Sequence, residues 1–463
     1  MKYRHALLPE KAHESFESYR LALGGSGVQR ARAMDPDEIL SEIQRSGLRG
    51  RGGAGFPTGT KWSTIRRHAC KTRTVVCNAA EGEPGTFKDR FLLRRNPYAV
   101  LEGLLVAARV VETRKIFIAI KASFTLEIES LRRAIREMTT AGLFKGIELK
   151  ITEGPDEYLF GEEKALLNVI EGGDPLPREA HYPPYEWGLN ATLQSPNPAL
   201  VNNAETFAHV PSIVLHGGES FRAAGTADTP GTILVTLSGD VAKPGVYEVA
   251  AGTPLRKIFE KEGGGPRRGR RFKAALPGVS AGVIPADRFD TPADFGSLKK
   301  IDSGLGSAGF ILIDDAATIP RVAQAVARFL YVESCNQCTA CKHGLRTSST
   351  ALNELFDPKT ATPDDLEQAL FGAREAPQGN RCYLPAQGSV VIPSLMARFK
   401  EEFDAQLARP AESGPAWVLP KIVDFDEEAR SFEIDPRQAF KNPDWTFSVT
   451  PPTRKKSIRK GKR

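Results

Sequence analysis

Between Thr72 and Gly172 the chain alternates between short β-branched runs, polar glycine-containing turns and apolar runs of helix length. TRTVVC leads into the turn NAAEGEPGTFKDR, and KIFIAI (115–120) and GIELKITEG (146–154) follow as further strand candidates. LEGLLVAARVVE, LEIESLRRAIREM and EEKALLNVIEG separate them as helices. Strand, turn and helix in that order predict an α/β domain with a mostly parallel sheet. In such sheets ligands gather at the carboxyl ends of the strands, where the glycine-rich turns lie.

The rest of the chain divides around this region. Residues 1–47 read as an N-terminal helical segment, with DPDEILSEIQRSG capped by Asp35 and stopped at Gly47. The α/β domain is expected over 48–225, although GGDPLPREAHYPPYEWGLNATLQSPNPALVNN (172–203) is a long run without periodicity. TILVTLSGDVAKPGVYEV reads as two strands around a Lys-Pro-Gly turn and opens a ubiquitin-like module over 226–316. A helical region follows over 317–408, and 409–463 is expected to be an extended tail. The net charge of +7 sits in that tail, because its last ten residues carry seven Lys or Arg and no acid. The remainder is formally neutral, so charge does not point to nucleic acid, and the basic end suits an acidic partner or simple solvation. No apolar run is long enough to span a membrane, and the start lacks the features of an export signal, so a cytoplasmic setting is expected.

Four clusters carry chemistry. Cys335, Cys338 and Cys341 follow one another at two-residue spacing, and Cys382 lies 41 positions beyond Cys341. Three close thiolates plus a distant one suit a [4Fe–4S] cluster, whose irons each take one thiolate. A zinc site and unrelated buried thiols are the alternatives. LRGRGGAGFPTGTKW (48–62) brings Gly50, Gly52, Gly53 and Gly55 together with Arg51 and Lys61. Backbone amides there can approach an anion closely, although a tight structural turn would use the same glycines. Gly161, Glu162 and Glu163 open a helix, where the acids favour the dipole and can also accept from sugar hydroxyls. VNNAET (201–206) sets Asn202, Asn203 and Thr206 in one short stretch of donors.

Together with SGDVAKPGVYEV and ESCNQCTACKHG, these stretches resemble the family of flavin-bearing subunits of respiratory complex I, which includes the diaphorase subunits of NAD-linked formate dehydrogenases and hydrogenases. The resemblance covers about residues 35–405. It implies a Rossmann-like FMN domain, a ubiquitin-like β-grasp (SLBB-type) module and a C-terminal helical bundle with a [4Fe–4S] cluster on Cys335, Cys338, Cys341 and Cys382. FMN would be held by Gly50, Arg51, Gly52, Lys61, Asn78, Asn202, Asn203 and Thr206. NAD(H) or NADP(H) would lie over the flavin near Phe56, Glu81, Glu83, Tyr158, Gly161, Glu162, Glu163 and Tyr185, with Glu81 and Glu83 nearest the chemistry. The implied activity is an NAD(P)H dehydrogenase within a hetero-oligomer, passing electrons to partner iron–sulfur subunits, including a thioredoxin-like [2Fe–2S] subunit. An electron relay for a protein donor such as ferredoxin, without pyridine nucleotide, is the alternative.

The chain departs from that family at three places. Ala80 stands where the family has aspartate, Phe160 where it has cysteine, and Tyr182 where a lysine faces the dinucleotide. These changes predict a shift in the hydride donor, its affinity or its 2′-phosphate preference.

Overall fold

The computed structural model describes residues 7–179, 182–410 and 416–448. Its first sheet holds β1 (Thr74–Ala79), β2 (Lys115–Lys121), β3 (Glu148–Gly154) and β4 (Ala199–Asn203) in the order β3-β2-β1-β4. Every pairing is parallel. Residues Val75, Val76 and Cys77 of the central β1 are fully buried, as a strand covered on both faces requires. The register sets Asn78 beside Asn203, so two amide residues lie at one carboxyl edge. Strand β4 ends the long aperiodic run, and its five residues are too few to announce a period.

Helices Pro97–Val110 and Ala204–His216 pack over this sheet. The N-terminal segment is tied to the first of them by a buried carboxylate. Glu102 accepts from the Tyr19 hydroxyl at 3.0 Å, from the Gly27 amide at 2.9 Å and from the Ser26 hydroxyl. A second sheet contains β5 (Thr232–Gly239), β6 (Gly245–Ala250), β7 (Phe272–Pro277), β8 (Ile284–Pro285) and β9 (Gly309–Asp314), ordered β6-β5-β9-β7-β8. Its β5–β6 hairpin matches the two strands read around Lys-Pro-Gly. Helices Ile319–Glu333, Thr339–Glu354, Pro363–Glu375 and Leu384–Arg398 form the bundle, with Lys400–Ala408 against it.

The expectation of an extended tail needs correction over 416–448. This stretch holds an antiparallel hairpin, β10 (Ile422–Asp426) with β11 (Ser431–Ile434), and a 3₁₀ turn at Pro436–Phe440. Phe425 and Phe432 pack with ring centroids 4.6 Å apart and both contact Phe87. Alternating acids and aromatics hid these strands, since their apolar side is only two or three residues long. The basic end at 452–463 lies outside the described residues.

Candidate active site

A cavity of about 1110 Å³ opens where the three units meet. The α/β domain contributes Gly52, Gly53 and Ala54, Asn78 with the loop after β1 from Ala80 to Glu83, Tyr158, Leu159, Gly161 and Glu162 of the opposite turn, and Asn203. The β-grasp module adds Ser280–Gly282, Phe295, Lys299 and Asp302–Ser307, and the bundle adds Tyr383, Leu384 and Gln387.

The floor is built on charge. Lys88 is buried, and its ammonium reaches Glu205 at 2.7 Å, Asp89 at 2.8 Å and the Asn203 side-chain oxygen at 3.1 Å. The Asn203 amide nitrogen donates to the other Asp89 oxygen at 2.6 Å. Burial pushes the Asp89 carboxyl up to about 6 although Lys88 opposes it. Burial works the same way on Glu205, but there Lys88, aided by His209, outweighs it and holds the carboxyl at about 2. Asn78 ties the end of β1 to the opposite turn by donating to the Gly161 carbonyl at 2.7 Å.

Glu81 and Glu83 have different partners. Glu81 accepts from the Arg90 guanidinium at 3.0 Å and from the Asp89 amide at 3.1 Å, so its oxygens brace the loop. Glu83 accepts from the Tyr158 hydroxyl at 2.5 Å and the Val279 amide at 2.7 Å. Tyr158 in turn accepts from Gln387 at 2.7 Å. Burial raises the Glu83 carboxyl, and the hydrogen bond from Tyr158 counters it. Glu162 caps the helix Glu163–Ile170 through the amides of Lys164 and Ala165, and burial pushes it up to about 7.

Several residues singled out from the sequence do not line this cavity. Lys61 is drawn away by Glu163 at 2.7 Å and the Val201 carbonyl at 3.0 Å, which also occupies Glu163. The buried Arg51 guanidinium donates to the Pro230 and Thr232 carbonyls, holding the α/β domain to the β-grasp module. Its amide takes the Thr206 hydroxyl as acceptor at 2.9 Å. Gly50 closes the loop by bonding to the Phe56 carbonyl, which leaves the Phe56 ring 51% exposed. Tyr185 is 43% exposed outside the cavity. Tyr182 sits edge-on to Trp187 at 4.8 Å, and its neighbours Ala180 and His181 lie outside the described residues. Phe160 packs into a core with Val76 and Leu166 beneath the wall, whereas Ala80 faces the cavity. The sequence reading missed Asp89, which lies within NAAEGEPGTFKDR, and the whole β-grasp wall, for which no local signal exists.

The remaining surfaces fit a flavin nucleotide. A Cβ at Gly52 would stand 3.2 Å from the Asn203 side chain, and one at Gly161 would stand 3.1 Å from the Ala80 carbonyl. Both glycines line the cavity, and close packing leaves little room for a side chain at either. Asn202 keeps a buried side-chain oxygen with no partner among the described residues, an acceptor that a polyhydroxyl chain would satisfy.

All four cysteines of the second cluster are free thiols, with Cys341 buried and Cys335, Cys338 and Cys382 half-buried. Burial pushes the Cys341 thiol up to about 11, and Cys335 and Cys338 act on it in the same direction. Cys382 is raised by burial, then by Glu162, Cys335 and Cys341. All four belong to or pack against one core of the bundle, and together they form a soft donor set. Among the described residues no three His, Cys, Asp or Glu side chains converge on a single-ion point. A cluster that gives each iron one thiolate does not need such a point. Tyr383 and Leu384, which follow Cys382 directly in the chain, line the cavity, so this cysteine lies next to the cavity wall.

The family of the Nuo51 FMN-binding domain matches residues 43–212. The SLBB domain matches 234–283, and the NADH-ubiquinone oxidoreductase-F iron-sulfur binding region matches 321–406. In Rhizobium meliloti an F subunit of NADH-quinone oxidoreductase, the form numbered 2, is 37% identical over 87% of this chain and 94% of its own length. The F subunit of the Escherichia coli NADH-quinone oxidoreductase is 35% identical over 85% and 90% respectively. A solved NAD+-reducing [NiFe]-hydrogenase in its H2-reduced state superposes with a TM-score of 0.75 at 31% identity, covering 85% of this chain and 67% of that one. Among the described residues no helix is long and apolar enough to cross a membrane. With both cofactor regions matched and 37% of the aligned positions identical to a relative covered over 94% of its length, the chain belongs to the family of NADH-quinone oxidoreductase F subunits.

Proposed function

We propose that this chain is the NADH-oxidising subunit of a larger oxidoreductase, carrying FMN in the cavity and a [4Fe–4S] cluster on Cys335, Cys338, Cys341 and Cys382. When bound, FMN supplies two-electron acceptance from a hydride donor and one-electron delivery to the cluster. The observation that supports this most directly is the shared wall. Tyr158, Gly161 and Glu162 line the cavity together with Tyr383, Leu384 and Gln387 of the segment that follows Cys382, and Gln387 donates to the Tyr158 hydroxyl at 2.7 Å.

The residues divide the work. Gly52, Gly53, Asn78 and Asn203 line the cavity and would hold the flavin, and the buried Asn202 oxygen, without a partner among the described residues, would accept from its hydroxyls. Glu81 keeps the β1 loop in shape through Arg90, while Glu83 lines the cavity and would present a carboxylate to the dinucleotide. Tyr158 and the Val279 amide hold that carboxylate in a single orientation. Hydride transfer depends on stacking geometry, so rigid walls matter more than a general base. Electrons leave to partner iron–sulfur subunits, among them a thioredoxin-like [2Fe–2S] protein, in a cytoplasmic complex that is at most peripheral to a membrane.

Anaerobic titration of the purified protein with NADH and with NADPH, following flavin bleaching, tests the reading. Rapid bleaching by NADH is expected. Bleaching only by reduced ferredoxin would replace this reading with a relay that uses no pyridine nucleotide.

A further inference from the structure

The C-terminal hairpin lies beyond the regions matched to known families, which end at residue 406. We propose that residues 416–448 are a strap that positions the cysteine loop against the cavity wall, acting through Glu333 and Asn336. The inference rests on the reading of Cys335, Cys338, Cys341 and Cys382 as cluster ligands.

One end of the strap is fastened to the loop beneath the flavin cavity. The Gly85 amide donates to the Pro420 carbonyl at 2.8 Å, and Arg90 donates to the Ile422 carbonyl at 2.9 Å. Arg90 is also the partner of Glu81, so the strap and the cavity floor share one guanidinium. Arg437 continues the attachment with an ion pair to Asp156 at 3.2 Å.

The other end closes on the cysteine loop. Glu333 is fully buried two positions before Cys335. Its carboxylate accepts from Lys441 at 2.8 Å and Lys421 at 3.1 Å, both from the strap, and from the Tyr158 amide at 3.2 Å. Tyr158 is the residue whose hydroxyl orients Glu83. A single carboxylate thus joins the strap, the cavity wall and the segment leading to Cys335. Between Cys335 and Cys338, Asn336 adopts a left-handed backbone with φ of 59°. Its side chain donates to the Pro443 carbonyl of the strap at 2.7 Å.

The physical consequence follows from charge and geometry. A buried carboxylate deprived of its cations is strongly unfavourable, so the strap cannot leave without disturbing Glu333. Two ammonium groups around one carboxylate also leave a net positive charge beside a cluster of thiolates. That charge favours the more negative, reduced form of the cluster.

The experiment uses the full-length protein loaded with FMN and iron–sulfur cluster. Three variants are compared with it: Asn336→Gly, Lys421→Met/Lys441→Met and Lys421→Arg/Lys441→Arg. The readouts are the rate of iron release to a chelator, the electron paramagnetic resonance spectrum of the reduced cluster and its midpoint potential, with FMN content reporting the fold. Asn336→Gly keeps the left-handed backbone accessible but loses the tether, and iron loss at least threefold faster is expected. The double Met variant is expected to lose iron at least tenfold faster and to have a lower midpoint potential, with the double Arg variant restoring much of both. If the double Met variant fails to retain FMN, Asn336→Gly decides the matter. Wild-type iron release and potential in the variants that keep FMN would overturn the proposal. Wild-type protein unable to hold iron would instead overturn the cysteine assignment itself.

Discussion

Lys88→Met removes the cation beneath the cavity floor and leaves two carboxylates buried without it. Lys88 contacts Glu205 at 2.7 Å and Asp89 at 2.8 Å, and all three side chains are shielded from water. Holding the Glu205 carboxyl at about 2 instead of 4.5 corresponds to about 3 kcal/mol, at about 1.4 kcal/mol for each tenfold change in proton affinity. In the wild type this stabilisation is complete above the unfolded value of 4.5 and disappears as pH falls through 2. In the variant only His209 and Arg51 still oppose burial, so the Glu205 carboxyl moves upward from its wild-type value. Its destabilisation is then greatest at neutral pH and shrinks as the carboxyl takes up a proton. Urea unfolding followed by amide exchange in the helix Ala204–His216 should therefore show a loss of about 3 kcal/mol at pH 7 and a smaller one at pH 5. FMN affinity should fall as well, because Asn203 loses the ammonium that fixes its oxygen. A variant within about 0.5 kcal/mol of wild type, the ordinary range for neutral substitutions, with no change in pH dependence, would refute the reasoning.

Three further outcomes are expected. Tyr158→Phe deletes the hydroxyl that orients Glu83, a hydrogen bond to a charged group worth about 2 kcal/mol. It should lower kcat/KM for NADH about thirtyfold and move the Glu83-dependent limb of the pH profile upward, since Tyr158 is what lowers that carboxyl; an unchanged profile would count against the assignment. Gly55→Ala forces a side chain onto a backbone with φ of 63° and sets its Cβ 2.7 Å from the Phe295 ring. Backbone strain alone costs about 1–2 kcal/mol, and the displaced cavity wall should raise KM for the dinucleotide; identical thermal stability and KM would exclude this. Cys382→Ser should abolish the reduced-cluster resonance while FMN and its bleaching by NADH survive, and a persistent wild-type resonance would remove Cys382 from the ligand set.

Local sequence was informative where one segment decides its own structure. The helix Pro36–Ser46 carries its start and stop in Asp35 and Gly47. Strands β1 and β2 carry their buried apolar runs, and the cysteines carry their spacing. Glycines at 50–55 and the amides at 202–203 marked a ligand loop, but not which atoms would face the ligand. Lys61 and Arg51 show why. A cation's direction depends on the acceptors around it, and Glu163 and the Pro230 carbonyl lie 102 and 179 residues away.

The sequence alone determined the α/β order, the β-grasp hairpin, the cysteine set and the family. All of these rest on short-range pattern and on motifs read in a fixed order. Tertiary structure decided three things that no segment contains. It brought the β-grasp loops at 280–282 and 302–307 onto the cavity, and it divided Glu81 from Glu83 by giving one to Arg90 and the other to Tyr158. It also folded a mixed-charge tail back so that Lys421 and Lys441 reach Glu333. Each is a contact between distant residues, where burial removes competing water and a charge takes the partner that the fold places beside it.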